Sequence, residues 1–278
     1  MKKKVKLGRI ISIVILIIIL ILFMFPLYYL FTTSLKQRLL AFAIPPVWFF
    51  KPTLENFKTV LSKASFSMGL LNSTIAAGVS TLLALVFGAP AGFYLTRAKW
   101  AKRESVANWI LSTRMAPPIV VIIPFFLIIT KLGMFDKIYS LVIIYLVFSL
   151  PLVILIMRSF FDDIPVEFDE AGMVDGLSYP GIFWHITLPL CRQGLAATGI
   201  LTFLLTWNEF LFALILTGRI ARTMPVLITG YIQQTQGLLW SEMAAASVII
   251  MFPIVIFIFF VQRNLARGMT LGMMRDLK

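Results

Sequence analysis

The sequence predicts an all-α membrane protein with six transmembrane helices, and three observations carry that prediction. Of its 278 residues, 60% are hydrophobic and 13% charged, with a mean hydropathy of +0.95. An ordinary soluble domain has about 45–50% apolar and about 25% charged residues. Next, stretches at 10–32, 70–96, 106–130, 138–160, 194–217 and 243–261 approach the roughly 20 apolar residues a helix needs to cross a ~30 Å hydrocarbon core. Finally, charge collects between these stretches. Asp162, Asp163, Glu167, Asp169, Glu170 and Asp175, half of the 12 acids, fall in the single connection 162–192.

Residues 1–9 form a basic N-terminus with Lys2, Lys3, Lys4, Lys6 and Arg9, ahead of the first span at 10–32. That span exceeds the ~7–15 apolar residues of a signal core and no A-x-A site follows, so it reads as a retained helix. The connection 33–67 is stiffened by Pro45, Pro46 and Pro52. A core domain of 68–267 then contains the remaining spans, and 268–278 is a tail. Span two carries Ser73, Ala77, Ser80, Ala84, Gly88 and Ala91 at spacings of three and four, a small-residue stripe that lets helix backbones approach closely. Pro90 is a candidate bend in it. Span three is interrupted by Arg114, Pro117, Pro118 and Pro124.

Span five has Thr198, Thr202, Thr206 and Glu209 at helical spacing, with Asn208 adjacent. A carboxylate in hydrocarbon is costly and faces a cavity or a partner. Three readings of Glu209 stay open: lining a pathway, making a structural hydrogen bond, or sitting at the interface near Trp207.

Basic residues set the orientation. With the N-terminus inside, 15 basic residues lie on the inner side and 9 on the outer, with Arg114 left within a span. The acidic connection 162–192 is then cytoplasmic, and both termini are too. The outer connection Gly218–Glu242, with Arg219, Arg222, Tyr231, Gln233, Gln234, Gln236 and Trp240, reads either as a solvated turn or as a contact surface for an external partner.

The acidic connection has the punctuation of two short helices. Pro165 suits a first turn, and Glu167, Asp169 and Glu170 complement the positive end of a helix dipole. Gly176 ends that helix, Ser178 caps the next, Pro180 sits in its first turn and Pro189 lies beyond its end. The second helix, with Ile182, Phe183, Trp184 and Ile186, is too apolar for a solvated loop and reads as a docking element.

No phosphate-binding loop, H-E-x-x-H or G-x-S-x-G occurs, so no catalytic residue is assigned and the chain has no visible means of using ATP by itself. With one cysteine, Cys191, and one histidine, His185, no metal site is assigned either. The net charge of +13 flanks spans instead of forming one basic face, which fits lipid headgroups and excludes nucleic acid as a partner.

The acidic connection resembles one family. The spacing E-A-x-(x3)-G-(x9)-I-x-L-P is met by Glu170, Ala171, Gly172, Gly176, Ile186, Leu188 and Pro189. It is similar to the signature loop of permease subunits of bacterial and archaeal ATP-binding-cassette importers. The sequence departs at Gly172, where the family usually has alanine, and at Gln193, where sugar permeases often have proline. Further segments resemble the carbohydrate branch, in particular its second, maltose-type permease: Pro52–Phe57, Asn72-Ser73-Thr74, Ser80–Leu85, Gly88–Ala91, Trp207–Phe210 and Arg267–Thr270. Together they span roughly residues 27 to 272.

The resemblance implies a type I importer permease in the prokaryotic cytoplasmic (inner) membrane. Such a chain pairs with a sister permease to form a pore, binds two cytoplasmic ATPase subunits, and receives sugar from an extracytoplasmic binding protein. It implies no cofactor on this chain, with ATP and Mg held by the ATPase subunits. Within the loop, Glu170 and Asp175 supply charged contacts to the ATPase. Phe183, Trp184 and Ile186 either enter its cleft or pack beneath the docking helix, while Gly176 separates the two helices. Glu209, with Asn208 and Thr206, is the candidate for the substrate pathway. The competing class is a carrier driven by an ion gradient, which would need paired intramembrane carboxylates or broken helices in matching halves. A membrane-embedded enzyme is a third class, and it lacks acid–base pairs.

Overall fold

A computed structural model describes residues 2–98, 101–230 and 239–273, with the side chains of all of these except 2–7, 257, 258 and 260–273. Lys99, Tyr231, Gln233, Gln234, Gln236, Arg275 and Lys278 lie outside the described residues, as do the side chains of Lys2, Lys3, Lys4, Lys6, Arg263 and the Arg267–Thr270 segment. Helices run in the order α1 (Lys2–Ser34), α2 (Glu55–Ser62), α3 (Ala64–Arg97), α4 (Arg103–Thr113), α5 (Pro118–Lys131) and α6 (Ile138–Asp162). There follow α7 (Glu167–Val174), α8 (Tyr179–Leu190), α9 (Arg192–Trp207), α10 (Leu211–Leu216), α11 (Met224–Gly230) and α12 (Trp240–Met273). Among the described residues there is no strand.

Three helices are long and apolar enough to cross a membrane singly: the Gly8–Ser34 part of α1, α3 and α6. Two further pairs pass only together, α4 with α5 bent by 87° and α8 with α9 bent by 80°. The apolar part of α12, Trp240–Ile256, is shorter.

The chain divides into two compact units. The first comprises Met1–Phe66 and Ile228–Phe252. None of the apolar window of α1 is buried inside the chain, so its whole circumference is free to meet hydrocarbon. Where α1 ends, Asn56 Nδ2 donates to the carbonyls of Ser34 and Lys36, both at 2.8 Å, satisfying acceptors that a helix C-terminus leaves open. The 33–67 connection is therefore structured, with a 3-10 turn at Arg38–Phe42 and α2 within it. Lys36 is 2% exposed. Its ammonium lies 5.4, 6.0 and 5.3 Å from the ring centres of Tyr29, Trp48 and Phe50, a cation–π cage. The Lys63 ammonium meets Glu242 at 2.5 Å.

The second unit comprises Ser67–Leu227 and Pro253–Lys278. Its centre is the close approach of α3 to α6. Ser73, Ala77, Ser80, Ala84 and Gly88 of the small-residue stripe are buried. A Cβ on Gly88 would stand 2.7 Å from Val153, and one on Gly92 would stand 2.9 Å from the Ile154 carbonyl oxygen and 3.0 Å from the Arg158 nitrogen. Two apolar cores flank this seam. One gathers Ile129, Leu141, Ile144, Phe212 and Leu216 near the α5–α6 turn. The other joins Phe93 of α3 and Met157 and Phe161 of α6 to Ile182 and Phe183 of α8.

Four sequence expectations change. Span three is two helices, because the Pro117-Pro118 pair excludes helical backbone before it and Pro118 restarts the helix at its first turn. Span five also breaks: α9 ends at Trp207 and α10 starts at Leu211, so Glu209 does not continue the row of Thr198, Thr202 and Thr206. Pro189 lies within α8 instead of beyond it. Proline lacks an N–H and its ring clashes with the carbonyl four residues back; the wider π-turn at Phe183–Thr187 accommodates it. Ser178 occupies the position before α8, but its hydroxyl makes no capping bond. Pro90, the candidate bend, lies inside α3, which continues to Arg97.

The backbone contact at Gly92 gives a direct test. Gly92→Val has no room to relax against main-chain atoms and should lower stability by about 1–3 kcal/mol or more, read as an earlier unfolding midpoint in a denaturing-detergent titration.

Candidate functional site

The 162–192 connection forms two helices joined by one tight turn. The α7 helix ends in a Schellman arrangement. The Gly176 N–H donates to the Met173 carbonyl at 3.0 Å and the Leu177 N–H to the Gly172 carbonyl at 2.9 Å. Gly176 has φ +87°, a left-handed conformation that glycine adopts without steric cost. A Cβ on Gly172 would meet Ile186 at 2.6 Å and Ile182 at 3.3 Å, so the smallest side chain at this position lets α7 and α8 nest.

What holds the pair of helices is a buried acid. Asp169 is 2% exposed, and its carboxylate is paired with the Arg97 guanidinium. Thr187 Oγ1 donates to Asp169 Oδ1 at 3.0 Å, and Arg97 Nη2 donates to the Ile164 carbonyl at 2.9 Å. Thus the last residue of α3 grips both α7 and the turn before it. Phe183 is 4% exposed, with its ring 5.3 Å from Phe93 and 6.2 Å from Phe161. It therefore packs inside this chain.

The opposite face is open. Glu170, Ala171, Asp175, Gly176, Trp184 and Pro189 are exposed, Ile186 and Leu188 half-buried, and Gly172 and Phe183 buried. Val174 at the tip is 88% exposed. Sequence reasoning assigned Asp169 only to the helix dipole, counted Arg97 only as one of the 15 inner basic residues that set orientation, and left Thr187 out. The available signal was the three-residue spacing of Asp169 and Gly172, which puts an acid and a small residue on one face of α7. Cys191, which joins α8 to α9, is buried with its thiol 3.4 Å from the Phe160 carbonyl. Burial, with Asp163 nearby, pushes its pKa up to about 11, which leaves it an unreactive thiol at neutral pH.

At the break between α9 and α10, Glu209 acts on backbone. Its Oε1 accepts from the Phe212 N–H at 2.9 Å and its Oε2 from the Ala213 N–H at 3.1 Å, so it caps α10. Glu209 also lines a cavity of about 450 Å³ with Arg114, Tyr145, Ser149 and Thr206. Arg114 Nη1 donates to the Phe148 carbonyl at 2.7 Å. Thr206 is buried and Asn208 exposed.

A third cluster lies at the α5–α6 turn. Asp136 accepts the N–H groups of Gly218 and Ala221 on Oδ1 and of Arg219 on Oδ2, each at 2.9 Å, with Ile220 on both oxygens. Asn72 Nδ2 holds the same strip through the carbonyls of Ile220 and Arg222, at 2.8 and 3.0 Å. Partial burial works to raise the Asp136 pKa, but the four backbone donors outweigh it and hold the value at about 2.

The exposed two-helix loop, fastened to the ends of α3 and α6, presents an open face on a helical membrane protein. Residues 84–271 match the binding-protein-dependent transport system inner membrane component, and the chain belongs to that family. It is 34% identical over 233 residues to the trehalose/maltose transport system permease MalG of Thermococcus litoralis, covering 83% of this chain and 84% of that protein. The sulfoquinovosyl glycerol permease SmoH of Agrobacterium fabrum is 32% identical over 251 residues, covering 90% of this chain and 88% of its own. A chain of a bacterial ABC transporter involved in alginate import shares the fold with a TM-score of 0.79 at 21% identity, covering 93% of this chain and 96% of that one. A permease of this family is not itself an enzyme.

The Asp136 clasp predicts a pH dependence. The folded pKa of about 2 lies below the ordinary 3.8, so the clasp contributes fully above pH ~4 and is lost as pH falls towards 2. Amide hydrogen exchange of residues 218–221, corrected for intrinsic rates, should stay flat from pH 7 to about 4 and accelerate below about 3. Asp136→Asn should accelerate it at every pH.

Proposed function

We propose that this chain is the transmembrane permease subunit of an ATP-driven importer of sugars or glycosides. With a sister permease it forms half of a translocation pore in a prokaryotic cytoplasmic membrane, crossing it six times. The proposed order is a cytoplasmic N-terminus at 1–9, a first span at 10–32, an external connection at 33–67, a core permease domain at 68–267 and a cytoplasmic tail at 268–278. An extracytoplasmic binding protein delivers substrate at the face that carries Asp136. Two ATPase subunits, which hold ATP and Mg, dock on 162–192.

One observation carries the reading: an exposed loop face backed by a buried ion pair. Glu170 and Asp175 offer charge to an ATPase cleft and Trp184 offers apolar area, while Phe183 and Gly172 fix the loop from behind. The sugar class rests on the trehalose/maltose and sulfoquinovosyl glycerol permeases to which the chain is similar. Glu209, Asn208 and Thr206 are proposed to border the pathway. For Glu209 this adds to its capping role, since the same carboxylate stands on a cavity wall that includes Arg114 and Ser149.

The test is ATP hydrolysis and sugar uptake by this chain reconstituted in lipid with the sister permease and ATPase encoded beside it, with and without the binding protein. The expected result is hydrolysis stimulated by loaded binding protein. Gly176→Pro, which cannot hold the left-handed turn, should abolish the stimulation while membrane insertion persists. Glu209→Ala should lower uptake more than assembly. Uptake that follows an ion gradient, with no ATPase co-purifying, would instead identify a secondary carrier.

A further inference from the structure

We propose that the buried pair of Asp169 and Arg97 is the link that carries displacement of the docked loop into the membrane helices, and that both are positioning residues for coupled transport. The inference rests on the reading of 162–192 as the ATPase docking loop.

Arg97 is the last residue of α3, a helix whose preceding turns run against α6 with main-chain atoms in near contact at Gly92. At that end Thr96 Oγ1 donates to the Arg158 carbonyl at 3.3 Å, and Arg158 Nη2 reaches Glu104 at 2.6 Å. The ends of α3 and α6 and the start of α4 are therefore fastened to one another. Asp169 stands on the inward face of α7, away from Glu170 and Val174, which are exposed.

Besides the Cys191 thiol on the Phe160 carbonyl at the end of the loop, two kinds of contact join the loop to this block. One is apolar: Ile182 and Phe183 against Phe93, Met157 and Phe161. Such contacts are non-directional, so small slides cost little. The other is the ion pair. A guanidinium that spans two acceptors, with Nε on the Asp169 carboxylate and Nη2 on the Ile164 carbonyl, has one register. Here the register is fixed twice over, by Arg97 to the Ile164 carbonyl and by Thr187 to the second Asp169 oxygen. Because Asp169 is buried, separating the charges would leave one of them unpaired away from water. The pair therefore resists slippage in the direction in which apolar packing yields. Thr187 also closes the π-turn of α8, so both helices of the loop converge on this one carboxylate.

The experiment is transport stoichiometry in proteoliposomes containing this chain, its sister permease and the ATPase, driven by loaded binding protein. Three quantities are read: yield of assembled complex, ATP hydrolysed, and sugar taken up per ATP. Asp169→Asn keeps the size and an acceptor for Thr187 but removes the charge. Read on the complex that assembles, the expected result is sugar per ATP reduced about tenfold. Arg97→Lys keeps the charge but cannot hold Asp169 and the Ile164 carbonyl in one fork, and should lower the ratio by about threefold. It carries the test alone if Asp169→Asn does not assemble.

An unchanged ratio in the assembled variants would overturn the proposal. So would a fall in both activities that only tracks lost complex, which would make the pair purely structural. Wild-type complex whose hydrolysis ignores the binding protein would instead refute the importer reading, whatever the variants do.

Discussion

Backbone N–H and C=O groups that a helix break leaves open must find partners, and at four of its breaks this chain supplies a charged side chain. At the α4–α5 break the Arg114 guanidinium donates to the Phe148 carbonyl. At the α9–α10 break Glu209 accepts two N–H groups of the helix that follows. Beyond α10, Asp136 accepts four successive N–H groups. At the turn after α6, Arg97 takes the Ile164 carbonyl while holding Asp169. Each charge is thus placed where a regular helix has been given up, and each break turns the chain towards a cavity or a loop.

The same economy explains the seam between α3 and α6. Apolar side chains gain nothing by meeting each other instead of lipid tails, so close packing has to drive association. Gly88 and Gly92 bring the two helices within van der Waals reach of main-chain atoms. That rigid seam gives the loop something to pull against. Without it, the Asp169 pair would connect one mobile element to another.

Much of this was legible in the sequence, for reasons specific to each element. The stripe from Ser73 to Gly88 announced a packed face because small residues at spacings of three and four have few other uses in a span. Gly176 announced the turn because few residues tolerate positive φ. Other features were hidden. Glu209 reads as part of a threonine row, and only tertiary context shows that the helix stops at Trp207 and restarts at Leu211. Pro189 reads as a terminator, since nothing in the sequence shows that a π-turn can absorb it. Asp169 sits among five other acids of the same loop, and no pattern distinguishes the one that is buried. Its partner Arg97 lies 72 positions earlier, beyond the reach of any local rule.

The claim on which the functional account turns is that the open face of α7 and α8 meets an ATPase. The most direct measurement is photo-crosslinking from a benzoylphenylalanine placed at Val174, whose side chain is 88% exposed at the tip of the loop, in the intact complex in lipid. The account predicts an adduct with the ATPase subunit that a probe at Tyr139, far from the loop in sequence and at the start of α6, does not give. Adducts at Val174 with lipid or with the sister permease alone, in a complex that still contains the ATPase, would contradict it.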